Sequence, residues 1–307
     1  LESLADALAV ESCTLDDVIR LKVFYQSTDA SERWTLLARL SDAFSNEPAP
    51  VITANPVPLQ PFEGQAIQVQ AIASKNWRSL EDIRSAVREP PSAVAGEFRR
   101  PVLTRGLRAG EFFAVGGHTA VDDQARLTTE DGIQQTHQVM SDISSVLDEL
   151  GASFQDSIKK EGYYFGTTME QWAAMATVRA SYFREPGPVA TVVPCHILWP
   201  AGSLTQVEVL GMRTLWNGFD KYVPRDDRWP ERVWDWPIPV PYRQGIRLRD
   251  TIWTGGQVPF EPGTNSGIAM YPGNLMDQTR FTMGYIEEIL RDFDATTSDL
   301  RLLVCYF

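Results

Sequence analysis

The alternation of apolar and polar residues predicts a chain that mixes short strands with amphipathic helices. Across residues 130–150 the apolar positions recur at helical spacing, so one face of a helix should pack on a sheet. Residues 189–198 and 204–212 are instead β-branched runs too short for helices, which predicts strands. In the central part of the chain the predicted strands are 111–116, 157–165, 189–198 and 204–212, and the predicted helices are 130–150 and 169–183. Helices that interrupt the strands of one sheet indicate an α+β fold with the helices on one face.

This pattern recurs along the chain. Residues 106–118, GLRAGEFFAVGGH, align without a gap on residues 245–257, GIRLRDTIWTGGQ. Residues 135–164 align in the same way on residues 278–307, and shared residues stay in register through a strand, a helix and a second strand. Self-similarity of this kind indicates a protein built from repeated units.

The repeat predicts one complete unit flanked by two partial units. The start of the chain resembles the back of a unit, because residues 4–25 align on residues 143–164. The predicted segments are 1–74 (first partial unit), 75–100 (linker), 101–213 (complete unit), 214–240 (Trp- and Pro-rich linker) and 241–307 (last partial unit). Since unpaired sheet edges promote aggregation, we expect both partial units to be covered.

Composition and charge narrow the classes of function. The chain has 307 residues, 43% of them hydrophobic and 22% charged, as in ordinary globular proteins. No window approaches the roughly 20 apolar residues that a membrane span needs. The formal net charge of −12 argues against a nucleic-acid partner, since acidic surfaces repel phosphates. The basic stretch at residues 88–110 is interpreted as a solvated linker.

The cysteines and the start of the chain bear on its compartment. Cys13, Cys195 and Cys305 lie far apart and form no CxxC spacing, which favours a reducing compartment over a disulfide framework or a zinc site. The chain opens without a basic and then apolar leader, so no signal peptide is expected. These features predict a cytoplasmic protein.

Several motifs occur in an order that resembles one known family. They are TLDDVIRLKVFY (14–25), the QT that opens a helix (135–136), the closing strands QVQAIA (68–73) and QVEVLGM (206–212), PY (241–242) and GGQ (255–257). Together they resemble the RidA superfamily, also called the YjgF/YER057c/UK114 family. The resemblance implies a chorismate-mutase-like α+β fold, in which each unit is a sheet with two helices on one face. It also implies three units that associate as a trimer or pseudo-trimer around a central barrel.

The resemblance further implies a function and its place in the fold. Small-molecule sites should lie in clefts between neighbouring units. The implied reaction is hydrolysis of an imine or enamine to a carbonyl compound and ammonia, without a metal or organic cofactor. The ribonuclease activity sometimes ascribed to the family fits the acidic charge of this chain poorly.

Site residues are carried over position by position. Glu208 corresponds to the carboxylate that positions water, and Tyr242 to the tyrosine at the cleft entrance. The glycine-rich cleft wall corresponds to Gly116, Gly117, Gly255 and Gly256, followed by His118 in one copy and Gln257 in the other. An imidazole at His118 could act as an acid or base, although a polar turn residue is the simpler interpretation. Glu208 could likewise be a solvent-facing strand residue.

The chain also departs from the family pattern. We place Pro50 and Pro188 where the family has the arginine that clamps a substrate carboxylate, and proline offers no donor. Leu103 replaces the entrance tyrosine in the complete unit, and Gln68 replaces the glutamate in the first. Arg105, beside a predicted strand, could substitute for the clamp or could be a solvated arginine.

Two hypotheses follow. The first is a RidA-type hydrolase acting on the C–N bond of a small molecule that lacks the usual α-carboxylate, with water positioned by Glu208. The alternative is a non-catalytic ligand-binding or scaffolding protein whose sites have decayed. Four tryptophans of one linker, Trp216, Trp229, Trp234 and Trp236, are expected to pack over a domain junction rather than roof a cleft.

Overall fold

The chain folds into a mixed α+β structure. The computed structural model describes residues 1–27, 32–44, 46–166, 168–213 and 229–306, with the backbone alone at 229–230. The strands are β1 (Val18–Gln26), β2 (Val51–Val57), β3 (Ile67–Ala73), β4 (Ile83–Arg88), β5 (Leu103–Ala109), β6 (Phe112–His118), β7 (Ser157–Phe165), β8 (Val189–Cys195), β9 (Thr205–Met212), β10 (Gly245–Leu248) and β11 (Thr251–Thr254). The helices are α1 (Glu2–Val10), α2 (Arg33–Ser41), α3 (Gly132–Glu149), α4 (Met169–Ala180), α5 (Trp229–Arg232) and α6 (Leu275–Arg291).

The central sheet is built from β4 to β9. Its strand order is β4-β5-β6-β9-β7-β8, and only the β7–β8 pair is parallel. Helix α3 begins at Asp131, whose side chain accepts a hydrogen bond from the backbone N–H of Gln134 at 2.8 Å. Its apolar face packs against the sheet in one core cluster, so the face predicted from helical spacing is the buried one. Each large side chain buried there stabilises the fold by about 1.5–3 kcal/mol.

A smaller sheet packs on the other face of the central sheet. Its strand order is β2-β1-β3, with β1 parallel to β2 and antiparallel to β3. The strands β8, β7 and β9 of the central sheet have the same order and the same relative directions. Part of the contact between the two sheets is an apolar cluster, whose fully or almost fully buried members include Ile19, Val51, Leu107, Ala114 and Leu210.

Three aromatic rings meet where the parts of the chain converge. Phe24 lies on β1, Tyr163 on β7, and Tyr306 near the end of the chain. The ring centroids are 6.3 Å apart for Phe24 and Tyr163, 6.3 Å for Phe24 and Tyr306, and 6.4 Å for Tyr163 and Tyr306. All three contacts are edge-to-face, the arrangement that aromatic pairs favour.

The structure adds two strands that the sequence analysis did not predict. Residues 83–88, assigned to a linker, form the edge strand β4, which pairs antiparallel with β5. Strand β5 itself was also missed. Helix α4 ends at Ala180 rather than at residue 183, and β8 ends at Cys195 rather than at residue 198.

The first and last parts of the chain lack strand pairings that the central sheet has. In the described part of the chain, β10 and β11 pair only with each other, and β3 pairs only with β1. Coverage of these edges therefore stays a prediction. Residues 301–306 form no strand, although their sequence aligns with the start of β7. Among the described helices, none has both the length and the apolar character needed to cross a bilayer.

Candidate functional site

A cavity of about 90 Å³ lies between the smaller sheet with α2 and the central sheet. One wall comes from α2 and β2, with Trp34 and Ile52 among its residues, and the other from residues 102–105 and 116–119. A water molecule needs roughly 10–15 Å³ of such space, so the cavity has room for several waters or a small organic molecule.

The two glycines of β6, Gly116 and Gly117, let this strand approach β2 closely. A Cβ on Gly116 would lie 2.9 Å from Cγ1 of Val51, and a Cβ on Gly117 would lie 2.6 Å from Nε2 of Gln206. The N–H of Gly117 donates to Oγ1 of Thr53 at 2.8 Å. Any side chain at these positions would push β6 away from β2, so the glycines set the width of the cavity wall.

His118 follows the glycines and has a defined tautomer. Its Nδ1 lies 2.7 Å from the carbonyl oxygen of Gly116, which can only accept, so Nδ1 carries the proton. Nε2 then accepts from Nε of Arg105 at 3.3 Å. Burial and the Arg105 charge lower the pKa of His118 to about 3. The imidazole is therefore neutral at neutral pH and serves as a hydrogen-bond acceptor.

Three guanidinium groups line the cavity: Arg33, Arg88 and Arg105. Arg33 donates to the carbonyl of Ala54 and lies over the Trp199 ring, 4.7 Å from its centroid. Burial, with the nearby Arg105, lowers the pKa of Arg88. Among the described residues, neither Arg88 nor Arg105 forms an ion pair.

One carboxylate faces these arginines. Asp142 of α3 lines the cavity and forms no hydrogen bond or ion pair with any described residue. Burial raises the pKa of its carboxyl group, although Arg105 and Arg88 oppose the rise. Because three cationic side chains line the cavity and Asp142 is the one carboxylate among the lining residues, the cavity has a net positive charge and attracts anions.

Glu208 does not lie in this cavity. Its side chain, 1% exposed, forms ion pairs with Nη2 of Arg20 at 2.7 Å and with Nζ of Lys22 at 2.5 Å. Glu161 joins the same two cations at 2.9 Å and 2.7 Å, and both cations hold its pKa below the usual range although burial opposes them. Glu208 faces β1 of the smaller sheet, which carries both cations, so the carboxylate is occupied by ion pairs rather than presented to the cleft.

The other predicted site residues lie at a second junction, between the central sheet and residues 241–257. Tyr242 is buried there, and the backbone beside it is held by the N–H of Gly187, which donates to the carbonyl of Pro241 at 2.7 Å. Gln257 bonds to Gln244 at 2.8 Å and to the indole of Trp234 at 3.1 Å. The N–H of Gly255 donates to Gln244, and that of Gly256 to Ala190.

The linker tryptophans cover this second junction in part. Trp234 is buried and contacts Trp236, and Trp236 contacts the ring of Tyr242 at 6.2 Å between centroids. Trp216 and the side chain of Trp229 lie outside the described residues. The two described tryptophans pack into the junction, as the simpler interpretation predicted.

Of the predicted site residues, the structure thus brings together Gly116, Gly117, His118 and Arg105. It adds Arg33, Arg88 and Asp142, which the sequence analysis missed. Arg88 was hidden because its strand was assigned to a linker. Among the described residues, no three His, Cys, Asp or Glu side chains form a group that could hold a metal ion.

Comparisons with known proteins find relatives of the central part of the chain. A model of the family described as Endoribonuclease L-PSP matches residues 100–211. A RutC family protein from Pyrococcus horikoshii is 29% identical over 111 residues, which span 36% of this chain and 86% of that protein. A RutC family protein from Sulfurisphaera tokodaii is 34% identical over 67 residues, 22% of this chain and 51% of that protein.

Solved structures that match part of this chain have low sequence identity and low TM-scores. A member of the YjgF/YER057c/UK114 family from Mycobacterium tuberculosis is 22% identical, with a TM-score of 0.32, and covers 42% of this chain and 100% of its own. RidA from Psychrobacter is 20% identical, with a TM-score of 0.35, and covers 42% of this chain and 100% of its own.

Proposed function

The chain belongs to the RidA superfamily through residues 100–211, and on this premise we propose that it hydrolyses the C=N bond of a small anionic imine, which an enamine reaches by tautomerisation. The reaction would take place in the cavity between the first and complete units. Water adds to the imine carbon, the nitrogen gains a proton, and the C–N bond then breaks to give a carbonyl compound and ammonia. The proposal requires no metal or organic cofactor.

The observation that carries the proposal is the pair Arg88 and Arg105. Both guanidinium groups line the cavity without a carboxylate partner among the described residues. Charge-assisted bonds from guanidinium to carboxylate are about twice as strong as neutral ones. The pair therefore supports a carboxylate-bearing substrate, although Pro50 and Pro188 stand at the positions where we expected the family arginine.

The same cavity offers groups for proton transfer. Asp142 has a raised pKa, which suits a group that takes a proton from water and returns it to the departing nitrogen. His118 offers its neutral Nε2 as an acceptor that orients the water or the substrate N–H. We assign no catalytic role to Glu208, since its carboxylate is held by Arg20 and Lys22.

We also propose that the chain contains three RidA-like units around a pseudo-threefold axis. The recurring sequence, the matching strand orders and the ring contacts of Phe24, Tyr163 and Tyr306 support this arrangement. The proposed unit boundaries remain 1–74, 101–213 and 241–307, with β4 of the intervening segment added to the complete unit. Each interface then presents its own cleft, and the open cavity is the one between the first two units.

A second candidate function is binding of a small carboxylate without catalysis. The low pKa of His118 favours it, because such an imidazole is a weak base at neutral pH. In this case the cavity would retain its arginines but no longer turn over an imine.

Ammonia release tests the proposal. Imines with and without a carboxylate would be generated freshly, and release would be followed for the natural protein and for Arg88→Gln, Arg105→Gln and Arg84→Gln. Arg84 is the matched control, because it lies on the same strand but is half exposed and pairs with Asp82 at 3.6 Å. Loss of one charged hydrogen bond costs about 1.5–3 kcal/mol, which corresponds to roughly a tenfold to hundredfold rise in KM.

The outcomes separate the two candidates. Ammonia release that is faster from imines with a carboxylate, and slower in the Arg88 and Arg105 variants, supports the hydrolase. Carboxylate binding in calorimetry with no ammonia release supports the binding protein. If neither binding nor release occurs, or if all three variants behave alike, both candidates fail.

A further inference from the structure

Two cationic side chains are buried together at the second junction, away from the cavity described above. Lys160 of β7 is 0% exposed and Arg179 of α4 is 1% exposed. They are close enough for the Arg179 charge, after burial, to lower the pKa of Lys160. Among the described residues, neither one forms an ion pair with a carboxylate. Two basic side chains are therefore buried together without a carboxylate partner in the described part of the chain.

Several donors in this place have no hydrogen-bond partner in the described structure. They are Nζ of Lys160, Nε and Nη2 of Arg179 and the hydroxyl of Tyr242. The contacts that do form are few. Nζ of Lys160 lies 5.0 Å from the centroid of the Tyr242 ring, and Nη1 of Arg179 donates to Oγ1 of Thr205 at 3.4 Å.

Leaving these buried donors without partners would destabilise the folded state. Burying an uncompensated charge costs several kcal/mol, and a buried unsatisfied donor costs about 1–3 kcal/mol. Lysine can avoid the cost by losing its proton, but arginine cannot be deprotonated in a protein. The charge of Arg179 is therefore permanent, and something of opposite charge must offset it.

The free groups have the geometry of a carboxylate site. Nε and Nη2 form one edge of the planar guanidinium, the edge that binds both oxygens of a carboxylate in parallel. The ammonium of Lys160 lies over the Tyr242 ring, and the charge of Arg179 acts on the Tyr242 hydroxyl, so the three groups are neighbours. We propose that Lys160, Arg179 and Tyr242 form a second, enclosed site that binds one small carboxylate anion such as formate.

This site would fasten the last unit to the complete unit. Tyr242 belongs to the last unit, and the backbone around it is attached by two hydrogen bonds, Gly187 N–H to Pro241 at 2.7 Å and Arg243 N–H to Pro188 at 3.1 Å. A bound anion adds a third link, from Tyr242 to Lys160 and Arg179. The site is independent of the proposed reaction, because it shares no residue with the cavity of Arg88 and Arg105.

Thermal unfolding in sodium formate at constant ionic strength tests the site. We expect the midpoint temperature of the natural protein to rise with formate and to saturate, as binding to the folded state alone requires. Lys160→Met keeps the apolar stem but loses the donor, and Tyr242→Phe loses only the hydroxyl. Both variants should bind formate at least about tenfold more weakly, the effect of losing roughly 1.4 kcal/mol.

A control variant and a second measurement keep the test decisive. Arg84→Gln, which changes a half-exposed arginine that belongs to neither proposed site, should keep the full formate response. Formate bound in the first cavity is recognised separately, by the part of the response that Arg105→Gln removes. If Lys160→Met does not fold, calorimetry with formate on the natural protein and on Tyr242→Phe gives the same comparison. A midpoint that ignores formate, or an equal response in all variants, overturns the proposal. So does a crystal structure grown in formate with only a water between the three side chains.

Discussion

Arg20 and Glu208 form a buried ion pair, with Nη2 of the arginine 2.7 Å from Oε2 of the glutamate. The two residues belong to different sheets, since Arg20 lies on β1 and Glu208 on β9. Lys22 and Glu161 complete a network of two cations and two carboxylates. The network joins the smaller sheet to the central sheet at the place where the two sheets face each other.

The first prediction concerns the stability that this network provides. Glu208→Gln removes one buried charge and leaves Arg20 and Lys22 sharing Glu161 alone. We expect the free energy of unfolding to fall by about 3–5 kcal/mol, the usual cost of breaking a buried pair. Urea denaturation measures it, with Glu149→Gln on the exposed side of α3 as the control. Full stability combined with lost ammonia release would instead return Glu208 to a catalytic role.

The second prediction concerns pH. The pKa of His118 is about 3 in the folded chain and ordinarily 6.5, so the folded state binds fewer protons than the unfolded state between these values. The free energy of unfolding should therefore fall as the pH falls through this interval, by at most about 1.4 kcal/mol per pH unit from this group.

The test is urea denaturation between about pH 7 and about pH 4. His118→Gln should show a shallower loss of stability toward acid than the natural protein. His137→Gln, an exposed histidine of α3, serves as the control. Identical pH dependence in the natural protein and in His118→Gln would contradict the assigned environment of His118.

The third prediction separates binding from turnover in the proposed cavity. Asp142→Asn removes the carboxylate that faces Arg88 and Arg105, so carboxylate ligands should bind several-fold more tightly. Ammonia release should slow, because the proposed proton-transfer group is lost. Calorimetry with propionate measures the first effect and steady-state kinetics the second. Asp148→Asn, exposed on the same helix, is expected to change neither, and weaker binding by Asp142→Asn would argue against an anion site.

The fourth prediction compares two glycines. A Cβ on Gly211 of β9 would overlap the Phe113 ring and the backbone oxygen of Asp156, so Gly211→Ala should destabilise the fold by about 1–3 kcal/mol. Gly284 lies inside α6 with no atom within 4 Å of the added carbon. Gly284→Ala should therefore stabilise the fold, by about 0.5–1 kcal/mol. Equal effects of the two substitutions on the midpoint of thermal unfolding would contradict the crowded surroundings of Gly211 and the open surroundings of Gly284.

The sequence predicted the local elements and the glycine wall well. Helical spacing located α3, and β-branched runs located β8 and β9, because these signals depend on neighbours in the chain. The double glycine at 116–117 was assigned to a cleft wall through the family resemblance, and Gly116 and Gly117 line the cavity. These features can be predicted because each depends on residues that are close together in the sequence.

Features that depend on partners far along the chain were not predictable. Glu208 occupies an alternating strand position, which is typical of a side chain that faces a cleft or solvent. Its environment is set instead by Arg20 and Lys22, which lie on β1, far away in the sequence. Arg88 belongs to an edge strand, and only its pairing with β5 brings it to the cavity. No local pattern marks which two sheets will face each other.

The ring contacts of Phe24, Tyr163 and Tyr306 affect how the protein can evolve. In an assembly of three identical subunits, one codon change alters all three copies of a residue at once. Here the three positions have separate codons, and one of them is already a phenylalanine where the other two are tyrosines. In the proposed arrangement of three units, a mutation changes one interface while selection preserves the others, so the proposed catalytic cleft and the proposed anion site can evolve independently.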